Sequence, residues 1–91
     1  MNYRIKFTNR FMREHKLMQK RGANMKLLSD VVDLLRQGKS LPEKYRDHAL
    51  TGNYSGSREC HIKPDWLLIY QIENNFLVLT LIRTGTHSDL F

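Results

Sequence analysis

A single cysteine, Cys60, rules out an intrachain disulfide in this 91-residue chain. The fold is therefore expected to stand without an oxidising compartment, and a cytoplasmic home follows most simply. Long apolar runs are also missing. The longest nearly uninterrupted stretch, Phe76 to Ile82, falls well short of the roughly 18 residues of a membrane span. The first six residues, Met-Asn-Tyr-Arg-Ile-Lys, carry charge where a signal peptide needs its apolar segment, so neither export nor membrane insertion is expected. Compact metal-ligand pairs of the C-x-x-C or H-x-x-x-H kind do not occur, and Cys60 and His61, adjacent in a strand, point to opposite faces. No metal site and no cofactor are expected, and Cys60, sharing parity with Ile62, is expected to be a buried, inert thiol. A G-x-S-x-G serine elbow is absent too. Without repeats, linkers or low-complexity tracts, residues 1–91 are expected to form one domain.

What the chain has in excess is positive charge, unevenly placed. Residues 1–46 hold 12 basic and 4 acidic side chains, whereas residues 47–91 hold 3 basic and 5 acidic ones, for a net of +6. A polyanionic partner for the first half is one implication, a merely solvated basic face the other.

Hydrophobic periodicity divides the chain in the same place. Tyr3, Ile5 and Phe7 alternate with Arg4 and Lys6, a half-buried first strand. Thr8 or Asn9 then caps a helix that puts Phe11, His15 and Met18 on one face and Arg10, Arg13, Lys16 and Lys20 on another, and Gly22 ends it. His15 reads as a packing residue. A second helix begins near Asn24, aligns Met25, Leu28, Val32 and Leu35, and stops at Gly38. After a loop containing Pro42 the period changes to that of strands, near 47–51, 57–63, 66–73 and 76–83, in an antiparallel meander. Residues 66–72 and 76–82 are apolar at both parities, so cover is expected on both faces, from the helices on one and the chain ends on the other. The predicted order β-α-α-β-β-β-β is an α+β domain, a helical hairpin packed on a small antiparallel sheet.

Three of the four histidines, His48, His61 and His87, fall in the second half with Asp65. Antiparallel pairing can gather them at one side of the sheet. Imidazoles that titrate near neutrality supply both a proton acceptor and a proton donor; three unrelated surface histidines are the alternative. With no nucleophilic side chain and no metal, the economical chemistry is one whose substrate brings its own nucleophile, as RNA does through its 2′-hydroxyl. Arg83, Arg58 and Lys63 are the nearby cations for the phosphorus oxygens, although strand-edge solubilising charge explains them as well.

The segments DHALTG (47–52), RECHIKPDWLLIY (58–70) and RTGTHSDLF (83–91) closely resemble the YafQ-type branch of the RelE/ParE toxin superfamily, and the similarity runs over the whole chain. The resemblance implies a RelE-like fold and the toxin of a type II toxin–antitoxin pair. The implied activity is a ribosome-dependent endoribonuclease that cuts messenger RNA in the A site without a cofactor. It implies an acidic antitoxin of the RelB/DinJ kind as partner, a toxin that is monomeric when free, and a heterotetramer as one form of the complex. Its catalytic positions fall on His48, His61, Asp65 and His87, with Arg83 and Phe91 in support. His87, on a flexible tail, is the expected general acid, His48 or Asp65 the base, and His61 a positioning or charge-stabilising group. Trp66 is expected in the core, Phe91 stacked on an RNA base, and Arg10, Arg13, Lys16 and Lys20 docked on ribosomal RNA. The competing reading is a non-catalytic, ParE-like module that grips a protein target such as gyrase; there the histidines are incidental.

Overall fold

Thr8 and Asn24 set the positions of the two long helices. In the computed structural model, which describes residues 2–91, Thr8 Oγ1 accepts the Phe11 amide at the start of α1 (Asn9–Lys20) and donates to the Ile82 carbonyl across the molecule. Asn24 caps α2 (Met25–Arg36) through the Lys26 amide. Gly22 and Gly38 follow the two helices in the left-handed region, where glycine meets no Cβ penalty. Leu28, Val31 and Leu35 are the buried residues of α2, while Met25 and Val32 flank them half-buried. The stripe therefore centres one residue away from Val32. Each of these three side chains contributes roughly 1.5–3 kcal/mol by burial.

The sheet is five-stranded, in the order β1-β5-β4-β3-β2, from β1 (Arg4–Phe7), β2 (His48–Ala49), β3 (Arg58–Lys63), β4 (Trp66–Glu73) and β5 (Val78–Gly85). Strands β2 to β5 are the antiparallel meander of the sequence pattern. The pattern leaves the partner of β1 open; the structure pairs it parallel to β5, with Ile5 opposite Leu79, so the sheet as a whole is mixed. Two boundaries differ from expectation. Residues 74–77 form the turn, Leu77 adopting φ +52° and its carbonyl accepting the Arg4 amide, so β5 starts two residues late and Phe76 lies exposed. A two-residue slip preserves which side chains face the core, and for that reason periodicity cannot detect it. The expected strand at 47–51 shrinks to His48–Ala49.

Both faces of β4 are covered. Cys60, Leu68, Tyr70, Leu79 and Leu81 pack under α1 and α2 with Trp66, whose Nε1 donates to Thr84 Oγ1 (2.9 Å), and His15 packs its ring beside Phe11. On the other face Leu67 and Ile69 meet Leu90, Leu50, Tyr54 and Ile82. The cover there comes from the C-terminal end and the 50–54 segment, because the N-terminal end is a strand of the sheet.

Candidate active site

A bulge sets the position of His61. Between β3 and β4, His61 lies opposite Leu67 and Lys63 opposite Trp66, so Ile62 is the extra residue. Bulges bend a strand and redirect the neighbouring side chains. His48 comes from β2, opposite Glu59. His87 opens α3 (His87–Leu90), a short helix closed by a capping box in which Thr86 Oγ1 accepts the Asp89 amide and Asp89 Oδ2 accepts the Thr86 amide. Arg21 at the end of α1 clamps the same carboxylate at 2.6 Å. Gly85 is required at this corner, since a Cβ there would stand 2.9 Å from the Asp89 Cβ. The expected flexible tail is thus a capped helical turn, tied down because Thr86 and Asp89 satisfy each other's backbone donors.

Strands β2 and β3, the turn that follows β3, and α3 bring His48, His61, Asp65 and His87 together. Ring centroids are 6.3 Å apart for His48 and His61 and 5.8 Å for His61 and His87. Each ring has its Nδ1 on an acceptor, which fixes the proton there: Arg46 carbonyl for His48 (2.8 Å), Pro64 carbonyl for His61 (3.3 Å), Asp65 Oδ1 for His87 (2.7 Å). The neutral tautomers therefore carry their second-nitrogen lone pair on Nε2. Asp65 Oδ1 also accepts the His87 amide (3.0 Å), and these bonds, the backbone one foremost, hold the Asp65 carboxyl below its ordinary pKa. His48 Nε2 lies 3.3 Å from Oε1 of Glu59, a carboxylate buried in β3. Glu59 Oε2 is, among the described residues, the one buried side-chain polar atom without a hydrogen-bond partner. Sequence reasoning passed over Glu59, although its two-residue spacing from His61 puts both on one face of β3.

Two of the expected RNA contacts are engaged elsewhere. Arg83 is buried at 5% exposure, its guanidinium bonded to both Glu14 oxygens (2.6 Å at the shortest), to the Tyr54 hydroxyl and to the Asp89 and Leu90 carbonyls. It is the strut between α1, β5 and α3, not an open cation, because every one of its N–H directions meets an acceptor. Arg58 binds Asp47 (3.1 Å), which also accepts the Tyr70 hydroxyl, and alternation along β3 puts it on the face opposite His61. Lys63, by contrast, lines a groove shared by His61 and His87. Phe91 projects an exposed ring just past α3 while its amide donates to the His87 carbonyl (2.9 Å). Arg10, Arg13, Lys16 and Lys20 are all exposed along α1. Cys60 is fully buried, and desolvation pushes its thiol up to about 12.

The sequence model of a family described as the bacterial toxin of a type II toxin–antitoxin system, YafQ, matches residues 3–91. The chain belongs to this family. Its relative in Escherichia coli K12, the mRNA interferase toxin YafQ, is 39% identical over 88 residues, covering 96% of this chain and 94% of the relative. The E. coli DinJ–YafQ toxin–antitoxin complex contains a chain that superposes with a TM-score of 0.91 at 37% identity, covering 100% of this chain and 99% of that one. A metal-bound toxin from Helicobacter pylori superposes with the same TM-score, 0.91, at 43% identity over the whole of both chains. In the present chain no group of three or more His, Cys, Asp or Glu residues among those described is arranged to hold a metal ion. Among the described residues no helix is long and apolar enough to cross a membrane.

Proposed function

We propose that this toxin is an mRNA interferase, an endoribonuclease that cuts messenger RNA in the ribosomal A site by general acid–base catalysis with the RNA 2′-hydroxyl as nucleophile. The observation that carries the reading is the pair His61 and His87, 5.8 Å apart and each with Nδ1 anchored, which leaves two Nε2 atoms for proton transfer at one open groove. His61 Nε2 removes the 2′ proton. The 2′ oxygen attacks the adjacent phosphorus, forming a 2′,3′-cyclic phosphate as the bond to the 5′ oxygen breaks, and His87, acting in its imidazolium form with Nδ1–H on Asp65, gives its Nε2 proton to that oxygen. Asp65 is the positioning group of His87 rather than the base, because its Oδ1 already accepts two hydrogen bonds from that residue. His48, held against Glu59, supplies charge to the phosphorus oxygens. The exposed Phe91 ring stacks on a base of the messenger.

Small size supports ribosome dependence. Ninety-one residues leave little surface for orienting a free messenger, so orientation, which is worth a large part of a barrier, comes from the ribosome. The E. coli relative is named an mRNA interferase and is seen in complex with DinJ; by analogy an acidic antitoxin covers this toxin in the cytoplasm until translation is to be stopped. Mapping transcript 5′ ends after brief expression is the test. In-frame cuts within translated codons are expected, and His87→Ala is expected to lower the cleavage rate roughly 10²- to 10⁴-fold with antitoxin binding intact. Equal cutting by parent and variant overturns the reading. Accumulated gyrase–DNA complexes without messenger loss support the non-catalytic alternative instead.

A further inference from the structure

The groove at His61 and His87 extends past the histidines into a part of the molecule that the reaction above leaves unused. It encloses about 590 Å³, within the roughly 300–1,000 Å³ of small-ligand sites. Lys44 and Tyr45 of the short 3₁₀ turn Glu43–Tyr45, the following Arg46, Leu27 of α2, and Lys63 and Pro64 line it. Lys44, Arg46 and Lys63 are exposed and form no ion pair with any described residue. The one carboxylate of the lining, Asp30, is already held by Lys26 Nζ, 3.2 Å from each oxygen. The groove is therefore electropositive.

Two of these cations are placed by local structure. The Lys44 ammonium lies over the Tyr45 ring, 5.0 Å from its centroid, a cation–π contact that holds a flexible chain at the rim. Arg46 takes a left-handed conformation, φ +49° and ψ +42°, which a non-glycine residue adopts at a cost. In that conformation its carbonyl receives the His48 Nδ1 proton (2.8 Å) while the residue itself lines the groove. One strained residue thus joins the histidine cluster to the cationic lining.

Resting on the RNA-cleavage reading, we propose that this groove seats the single-stranded nucleotide next to the scissile phosphate, with Lys44, Arg46 and Lys63 on the phosphates and the base against Tyr45, Leu27 and Pro64. Single strands are bound in this way, by cations tracking the backbone and apolar or aromatic faces under the bases. The chemistry rejects a duplex, whose bases are not free to enter.

The test uses a short RNA made uncleavable by a 2′-deoxy sugar at the scissile position and follows its binding to the intact toxin across salt concentrations. The double variant Lys44→Gln/Arg46→Gln is expected to bind at least about tenfold more weakly and to flatten the slope of log K against log salt by about 1.4, some 0.7 per lost phosphate contact. An Arg4→Gln/Lys6→Gln variant on β1, at the opposite edge of the sheet from β2, serves as the control and is expected to keep the parental slope. Equal flattening in both variants means net charge alone is acting and overturns the proposal, as does the absence of saturable binding by the parent at low salt. Transcript mapping separates the two levels. If the parent cuts messenger through His87 while the Lys44/Arg46 variant cuts and binds like the parent, the groove assignment falls and the reaction stands. If the parent does not cut, the reaction falls, and the oligonucleotide slopes still judge the groove.

Discussion

Asp65 and Arg83 show how far one side chain's role depends on its neighbours. Both carry charge close to the histidines in the sequence, yet Asp65 is exposed and turned onto His87, whereas Arg83 is sealed under Glu14 and the last turn of the chain. Replacing Asp65 with Asn removes an acceptor of full charge and allows the amide to present a donor to His87 Nδ1. Messenger cleavage is expected to fall at least about tenfold, with thermal stability nearly unchanged because the pair is exposed; a melting curve and a cleavage time course on the same preparation check it. The Asp–His pairing was legible as a clustering of residue types. Their distances were not, because these depend on a bulge at Ile62 and on a capped turn that brings His87 back over residue 65.

At the scale of elements, α3 and the strut beneath it decide whether His87 is in place. Glu14→Ala leaves the Arg83 guanidinium buried without its countercharge, a loss of roughly 3–5 kcal/mol that lowers Tm by more than about 10 °C. The same substitution is expected to abolish toxicity through unfolding rather than through lost RNA contacts, so calorimetry and RNA binding distinguish the two roles. Acid acts on the next link. The Arg21 guanidinium, foremost, and the Thr86 amide hold the Asp89 carboxyl well below its ordinary value of 3.8. A carboxyl lowered in the folded state stabilises it fully above the unfolded value and loses that contribution as pH falls through the folded one. Melting temperature is therefore expected to drop below about pH 4 more steeply in the parent than in Asp89→Asn, whose cap no longer titrates. The Thr86-x-x-Asp89 spacing of a capping box is present in the sequence and was a readable signal; its clamp from Arg21, 68 residues away, was not.

For the whole molecule, the division of charge has a spatial counterpart. The exposed α1 stripe of Arg10, Arg13, Lys16 and Lys20 belongs to the strand-helix-helix half, while the histidines sit across the sheet in the acidic half. On the proposed reading the stripe docks on ribosomal RNA and the groove holds the messenger. Gln at all four α1 positions is expected to weaken ribosome association most at low ionic strength, by a factor that shrinks as salt rises and screens the parent's charges, and to leave antitoxin-free folding intact. Sedimentation with ribosomes at two salt concentrations measures it.

Periodicity, turn residues and charge order were enough to determine the helical hairpin, the four antiparallel strands and the candidate histidines, because each of these is written in residues close together along the chain. The parallel pairing of β1 with β5, the burial of Arg83, the partnership of His48 with Glu59 and the cationic groove around Arg46 were decided only by the tertiary structure. These features join residues from different parts of the fold, and burial and hydrogen bonding select among arrangements that hydrophobic pattern leaves equivalent. Local sequence chose the elements and the chemistry available; packing decided which charges are spent holding α3 and which remain free at the histidines.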